Sequence, residues 1–241
     1  MAILDDVLGG LKALDASVRD VRLCLRATAV WSRRLGLAYT FARDPRAHAG
    51  DGDPGRRRMI DMTARELAEL ARSMEPEKAS VGLAAINSLI DPPEGLRDGH
   101  ALDLILERGR DRDVTLVGHF PFAERLRPQV RRLRVLELHP QDGDLPASEA
   151  ARVLPRSDVV AITASTLINH TLDGLLDLAR GKAVILLGPS TPLSPAFFAR
   201  GVIALCGSVV VDPDAALRCV SEGVSFRHLQ GLRRVILPAP R

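Results

Sequence analysis

Aromatic residues and lysine are both scarce in this chain of 241 residues. Aromatics make up 3% of it, with Trp31 and Tyr39 the single members of their types, and lysine occurs only at Lys12, Lys78 and Lys182. Binding of single-stranded nucleic acid relies on aromatic stacking platforms. The formal net charge of +3 is also small for a protein that binds phosphate backbones. We therefore expect no nucleic-acid partner.

Paired cysteines and long apolar runs are missing as well. Cys24, Cys206 and Cys219 are scattered without a CxxC spacing, which excludes a disulfide scaffold and predicts reduced thiols in a cytoplasmic protein. No apolar run reaches the 18 or so residues that a membrane span requires. The segment MAILDDVLGGLKALD has acidic residues where a secretory signal would be basic. We expect neither a signal peptide nor a membrane partner.

The overall composition, 46% hydrophobic and 26% charged, is that of a folded globular protein. Residues 1–92 mix helical and strand patterns and predict a smaller α+β domain. Apolar spacing predicts a helix over 3–14, and alternation predicts a half-buried strand over 21–29, paired in a hairpin with 35–41. Further helices are predicted after a capping box of Thr63 and Glu66 and over 75–89, before Asp91-Pro92-Pro93 marks the domain boundary.

Residues 43–58, RDPRAHAGDGDPGRRR, carry proline, glycine and charge without periodicity and predict a loop. His48, Asp51 and Asp53 lie in it. We interpret these three side chains as solvated rather than as a site.

Residues 93–241 alternate apolar runs with helical patterns, which is typical of a doubly wound parallel sheet, Rossmann-like in class. Strands are predicted over 114–117, 135–138, 158–162, 183–187 and 202–205. Helices are predicted over 98–108, 147–154, 170–179 and 213–222, with a short one near Glu124. The fold class is therefore α/β, with the smaller α+β domain first.

Polar loops follow these strands, at the edge where such sheets bind ligands. The loops are Gly118–Pro121, Glu137–Asp144, Thr163–His170, Gly188–Pro192 and Cys206-Gly207. Their hydroxyl, amide, carboxylate and imidazole groups predict a binding site for a small anionic ligand. Asn169 is expected to cap the helix that follows it.

Two of these loops leave alternatives open. Glu137 lies 19 residues after Gly118, which fits a carboxylate on the ribose of a nucleotide, but GxGxxG is absent and a solvent-facing glutamate fits equally well. His119 and His139, with Glu137, Asp142 and Asp144 nearby, are either metal ligands or loop histidines.

An arginine run also follows the first of these strands. The run is expected to be a solvated helix face rather than a patch for an acidic partner; it comprises Arg125, Arg127, Arg131, Arg132 and Arg134.

Five motifs together resemble a bacterial and archaeal family named for putative heavy-metal chelation. They are VGLAAINSL at 81–89, GHFPF at 118–122, E-x-x-P-x-x-GDLP at 137–146, ITASTLINHTL at 162–172 and LLGPSTPLSP at 186–195. The resemblance implies an enolase N-terminal-like domain over 1–92, a Rossmann-like domain over 93–241 and a ligand site in the cleft between them. The ligand-binding residues it implies are Asn87, Gly118, His119, Glu137, Asp144, Thr163, Ser165, Thr166, Asn169, Gly188, Ser190 and Thr191.

The family name implies metal binding, for which His119, Glu137 and Asp144 are the candidate ligands. The implied set is rich in oxygen donors, which suit hard cations or organic anions better than soft metals. A metal complex of a small organic ligand would reconcile the name with these residues. Because Phe120 and Phe122 are the only aromatics in these loops, we expect a compact polar ligand rather than a flat aromatic cofactor.

Three hypotheses follow for the whole protein. The first is a cytoplasmic protein that binds a small anionic ligand, a metal ion or a metal complex in the interdomain cleft. The second is an enzyme using NAD or S-adenosylmethionine, with Glu137 on the ribose. The third is a subunit or scaffold with a vestigial cleft. The cofactor is unknown, with a metal ion as the candidate, and a homodimer is allowed.

Overall fold

The computed structural model describes residues 2–41 and 58–240, and their strands form a three-stranded and an eight-stranded sheet. Most of the predicted loop 43–58, including His48, Asp51 and Asp53, lies outside the described residues. Within them, no helix is both long and apolar enough to cross a membrane.

The helices alternate with strands through most of the described chain. They are α1 (Ile3–Gly10), α2 (Ala64–Glu69), α3 (Pro76–Leu89), α4 (Ala101–Gly109), α5 (Ala123–Leu126), α6 (Ala150–Val153), α7 (Leu172–Leu178) and α8 (Pro213–Ser221). Single turns of 3-10 helix extend several of them. The predicted helix over 3–14 ends early at Gly9-Gly10, because glycine is a poor helix former. The capping box at Thr63 and Glu66 is confirmed.

The small sheet is a meander of β1 (Asp20–Leu23), β2 (Ala27–Trp31) and β3 (Leu35–Tyr39). The β2–β3 hairpin is confirmed, but the single strand predicted over 21–29 is wrong. A tight turn at 24–26 reverses the chain and leaves Leu25 78% exposed. This turn contains no Gly, Pro, Asn or Asp, so the sequence carries no signal for it.

Strands β2 and β3 of the small sheet are covered on both faces, so the prediction of half-buried strands is wrong for them, whereas β1 is partly exposed. Helix α3 packs on β2 and β3. Ala27, Ala29, Leu35 and Leu37 share an apolar cluster with α8 from the far end of the chain. Burial on both faces removes the alternation that a half-exposed strand would keep.

The large sheet has the order β4-β11-β10-β9-β8-β5-β6-β7 and is mostly parallel. Its strands are β4 (Arg97–Asp98), β5 (Asp113–Val117), β6 (Arg132–Glu137), β7 (Leu145–Pro146), β8 (Val159–Thr163), β9 (Ala183–Leu187), β10 (Val202–Val210) and β11 (Leu232–Pro238). The five predicted strands are all present. The α/β fold class, a large mostly parallel sheet with a smaller antiparallel one, is thus confirmed.

Two details of the large sheet differ from expectation. Strand β10 continues to Val210 because it pairs with the antiparallel strand β11, so Cys206 and Gly207 lie inside a strand rather than in a loop after it. The pattern did not predict β11, in which only Val235–Leu237 is buried.

Helix α7 begins at Leu172 rather than at His170, whose φ of 58° is left-handed and breaks the helix.

The predicted helix face is wrong for three of the five arginines, although Arg131 and Arg132 are exposed to solvent as expected. Arg131, Arg132 and Arg134 lie at or in β6 and surround the carboxylate of Asp113, at N–O distances of 2.7, 3.8 and 3.5 Å. The Arg134 side chain is only 16% exposed. Hydrogen bonding from Arg131, together with the charge of the three guanidinium groups, lowers the pKa of Asp113. This ion-pair cluster lies at the amino edge of the sheet.

One apolar cluster joins the N-terminal helices to the large sheet. Side chains from α1, α2 and α3 pack in it with the sheet residues Val117, Ile162 and Leu186 and with Phe197. The small sheet is therefore held against the carboxyl edge of the large sheet by a shared core. This packing positions the cleft described next.

Candidate functional site

The six parallel strands have the order 3-2-1-4-5-6 when they are numbered along the chain, which is the Rossmann order. The direction of winding reverses between β5 and β8, and ligands of such sheets bind outside this switch point. Gly118 follows β5 there with a φ of +104°, and a Cβ on it would lie 3.0 Å from Cγ2 of Thr163 at the end of β8. Glycine at 118 is required by both its backbone conformation and this close approach.

The loop after β9 is fixed to the N-terminal part of the chain. Tyr39 N donates to Ser190 Oγ at 2.7 Å. Asn87 Nδ2 donates to Leu37 O at 2.8 Å and to Ser190 O at 3.1 Å. Thr191 is buried, and its hydroxyl donates to Gly188 O at 2.7 Å. Asn87 and Thr191, both implied as ligand-binding, thus have structural bonds.

His119 and Asp144 form a hydrogen-bonded pair. Nδ1 of His119 lies 2.9 and 3.1 Å from the two carboxylate oxygens of Asp144. The Asp144 side chain is only 2% exposed and accepts a further bond from Gln141 N at 3.1 Å, whereas the His119 side chain is 32% exposed. A buried carboxylate on Nδ1 favours the tautomer with its proton there, which leaves the lone pair on Nε2.

Glu137 ends β6 and holds the loop that carries His119. Its Oε2 accepts the backbone N–H of His119 at 2.8 Å, and its Oε1 accepts that of Leu138 at 2.7 Å. Each carboxylate oxygen therefore already has a backbone donor. Glu137 orients the His119 loop, which is a role that neither the solvent-facing nor the ribose-binding interpretation included.

The segment after β8 folds on itself through its hydroxyl groups. Thr163 Oγ1 and Ser165 Oγ lie 2.9 Å apart, and Thr166 Oγ1 donates to Thr163 O at 2.6 Å. Asn169 Oδ1 accepts from Thr171 N at 3.2 Å and from Thr171 Oγ1 at 2.7 Å. Asn169 thus fixes the residue that precedes α7 rather than capping its first turn.

These elements enclose a cleft with a volume of ≈ 1490 Å³, lined from both the small sheet and the carboxyl edge of the large one. Nine of the residues implied by the motifs line it: Gly118, His119, Glu137, Thr163, Ser165, Thr166, Asn169, Gly188 and Ser190. Asn87, Asp144 and Thr191 do not. Asp144 acts behind His119, and the other two line a smaller pocket beside Ser208.

Aromatic side chains are concentrated in the cleft, contrary to the expectation that Phe120 and Phe122 are the only aromatics nearby. The chain has one Trp, one Tyr and six Phe, and five of these eight residues line the cleft. Phe120 and Phe122 are stacked, with centroids 5.2 Å apart and planes 13° apart. The others are Tyr39, Phe41 and Phe226. The motifs showed only the first pair, because the rest come from distant segments.

Positive charge is the second feature of the cleft that the motifs did not reveal. Arg26, Arg125, Arg227 and Arg234 line it, all of them exposed. The structure shows no ion pair between any of the four and a carboxylate of residues 2–41 or 58–240, although Arg234 Nη2 donates to Arg227 O at 3.3 Å. Burial and the nearby charges of Arg234 and Arg125 lower the pKa of His100, which packs edge-on against Phe122.

The donor set does not fit a bare soft metal ion. Across the described ranges, no group of three or more His, Cys, Asp or Glu side chains is arranged to hold a metal. His119, Glu137 and Asp144 do not form a metal site of three ligands, because both carboxylates are bonded to the His119 loop and its neighbours. Cys206 lines the cleft but is only 5% exposed, and burial raises the pKa of its thiol to about 12, so it offers no thiolate at neutral pH.

Solved structures of two other proteins have the same fold. A protein of unknown function from Desulfitobacterium hafniense DCB-2 superposes with a TM-score of 0.82 at 26% identity, covering 98% of this chain and 97% of its own. Another from Pyrococcus horikoshii superposes with a TM-score of 0.79 at 21% identity, covering 98% of each chain. An uncharacterized protein from Methanocaldococcus jannaschii is 29% identical over 194 residues, covering 77% of this chain and 73% of its own.

Two family models match the sequence itself, and both are described as "Putative heavy-metal chelation". One matches residues 8–90 and the other residues 100–237. The second match alone spans more than half of the chain, and the D. hafniense structure comes from that same family. This chain belongs to the family described as "Putative heavy-metal chelation".

Proposed function

We propose that this protein binds a small organic anion with a flat face, alone or as its metal complex, in the cleft. The observation that carries the proposal is the group of four cleft arginines, which have no carboxylate partner among residues 2–41 and 58–240. Guanidinium groups bind carboxylates and phosphates through paired hydrogen bonds. A ligand with such groups would pair its negative charge with these guanidinium groups.

The aromatic lining supports the flat part of the ligand. The stacked pair of Phe120 and Phe122 presents a planar apolar surface beside Arg125 on the same loop-helix segment. Arginine and aromatic side chains together recognise planar anions by ionic contact at the edge and stacking on the face. The proposed domains, 1–92 and 93–241, would both contribute to this site, through Arg26 and Tyr39 from the first and the loops of the large sheet from the second.

The nucleotide hypothesis depended on Glu137, and the structure gives this side chain another role. Glu137 was to bind a ribose, yet both of its oxygens accept backbone amides. We therefore place NAD and S-adenosylmethionine second, as competitors in the test that follows. The scaffold hypothesis does not account for the positive charge of the four arginines in the cleft.

Calorimetric titration with pyridine-2,6-dicarboxylate (dipicolinate), a planar aromatic dianion, tests the proposal. We expect binding to the metal-free protein that weakens at least about tenfold, or 1.4 kcal/mol, in the double variant Arg125→Ala/Arg234→Ala. The matched control is Arg112→Ala/Arg156→Ala, which removes the same charge at exposed positions preceding β5 and β8, at the opposite edge of the sheet. The control should bind as the wild type does.

Two results would contradict the proposal. One is an equal loss in both double variants, which would indicate a general charge effect rather than a site. The other is binding of NAD or S-adenosylmethionine that is tighter than that of dipicolinate and is lost in Glu137→Gln. That result would restore the nucleotide hypothesis.

A further inference from the structure

His119 offers one imidazole nitrogen to the cleft at the carboxyl edge of the sheet. Nδ1 of His119 is bonded to Asp144, and its Nε2 has no hydrogen-bond partner in the part of the chain that the structure describes. The side chain lines the cleft. His119 therefore presents one basic nitrogen, held in a fixed tautomer by a buried carboxylate, to whatever occupies the cleft.

A carboxylate behind a histidine is the arrangement that metal-binding histidines have in proteins. The carboxylate fixes the ring and raises the basicity of the nitrogen that binds the metal. Structural and catalytic metal sites use three or four protein ligands, and His119 has no such companions among the described residues. The protein can therefore supply one ligand to a metal ion that already has other ligands, but the described residues do not supply a full set.

We infer that His119 Nε2 is the only protein ligand to a metal ion that enters the cleft already bound to its organic chelator. This inference rests on the proposed function, since the chelator is the planar anion of that proposal. Imidazole suits copper, nickel and zinc, so the metal is a divalent ion of this class. Binding exchanges one ligand: the metal–oxygen bond to a water breaks, the metal–Nε2 bond forms, the water leaves, and no electron is transferred.

Binding of the chelator by one set of residues and of the metal by His119 accounts for three observations. The arginines and the stacked phenylalanines hold the chelator, which explains a positive cleft in a family described as "Putative heavy-metal chelation". Glu137 and Asp144 are used to position His119 instead of binding metal themselves. The absence of a thiolate is also explained, because the chelator supplies most of the donors.

Copper(II) dipicolinate is the probe that tests the inference. The chelator binds the metal through one nitrogen and two oxygens in a plane and leaves the fourth in-plane position to water. We expect the wild-type protein to bind this complex at least about tenfold tighter than dipicolinate alone. Its electron paramagnetic resonance spectrum should show a second in-plane nitrogen, and the visible band should move to shorter wavelength.

Three variants locate that nitrogen. His119→Ala should lose the spectral change and the metal-dependent gain in affinity while it keeps the affinity for metal-free dipicolinate. Asp144→Asn should keep the spectral change but lose part of the gain, since such supporting carboxylates contribute roughly 10–100-fold to metal affinity. His139→Ala removes another cleft histidine, one without a carboxylate partner in the described chain, and should match the wild type.

The outcomes separate the inference from the proposed function. If His119→Ala and the wild type give the same copper spectrum and affinity, or if His139→Ala loses the nitrogen signal, the inference is wrong while binding of metal-free dipicolinate still supports the proposed function. If neither dipicolinate nor its copper complex binds, both are wrong. If copper chloride alone binds to His119 as tightly as the complex does, the claim that the metal arrives chelated is wrong.

Discussion

Asn87 gives the sharpest test of which motif residues are structural. It lies in the VGLAAINSL motif on α3, and the family resemblance implies that it binds the ligand. In the structure its amide nitrogen instead makes two bonds that join three segments: α3, strand β3 at Leu37 and the loop after β9 at Ser190. We predict that replacing Asn87 lowers stability and that any effect on the cleft is secondary.

The magnitude follows from the two bonds. Each hydrogen bond of this kind contributes about 0.5–1.5 kcal/mol, so Asn87→Ala should cost about 1–3 kcal/mol. For a chain of this size, that corresponds to a fall in Tm of roughly 2–12 °C, at about 2–4 °C per kcal/mol. Asn87→Asp should cost more at neutral pH, because a carboxylate cannot donate and would face two carbonyl oxygens.

The assay is urea unfolding followed by tryptophan fluorescence and circular dichroism, with dipicolinate titration of each folded variant. Asn169→Ala is the control, since the bonds of this cleft asparagine to other described residues stay within its own loop. It should change the free energy of unfolding less than Asn87→Ala does. If Asn87→Ala unfolds like the wild type within about 0.5 kcal/mol and loses dipicolinate binding, the structural assignment is wrong.

Three other predictions concern the backbone, the ion-pair cluster and the buried thiol. Gly118→Ala should cost about 1–3 kcal/mol and more than Gly143→Ala, since both glycines have positive φ but only at Gly118 would the Cβ meet another side chain; equal losses in urea unfolding would contradict this. Asp113→Asn should cost about 1–2 kcal/mol at neutral pH, because the arginines around it are partly exposed and screened. Since the folded-state pKa of Asp113 is lowered, its contribution is complete above the unfolded value near 4 and is lost as the pH falls through the folded value, so the variant's deficit should shrink in acid; a deficit independent of pH would refute this. Cys206, with a pKa raised to about 12, should resist iodoacetamide at pH 8 in the folded protein while Cys24 reacts, as mass spectrometry of peptides would show; rapid alkylation of Cys206 would contradict its burial.

The parallel sheet could be predicted from the sequence because its strands are apolar on both faces and alternate with helices. Val114–Val117 and Val159–Ile162 are short, continuous buried runs rich in β-branched residues, which favours strands over helices. The turn at 24–26 could not be predicted, since it lacks turn residues. Strand β11 could not either, because pairing with β10 rather than its own pattern makes it a strand.

The site could be predicted only in part, for a similar reason. Loops that follow parallel strands meet at one edge, so Gly118, His119 and Thr163 could be grouped from the fold class alone. Arg26, Tyr39 and Arg234 come from the small sheet and from the strand that was not predicted, so their place in the cleft depends on tertiary packing. The premise that Phe120 and Phe122 are the only aromatics near these loops was wrong, because it considered only the loops that the motifs identified.

Native mass spectrometry of the freshly purified protein would test the central claim most directly. We predict that the wild type carries a small organic anion, with or without one divalent metal ion, and that Arg125→Ala/Arg234→Ala is empty while Arg112→Ala/Arg156→Ala is loaded like the wild type. A wild-type protein that carries a metal ion without an organic component, or a ligand retained equally by both double variants, would contradict the claim that the arginines of the cleft bind an organic anion.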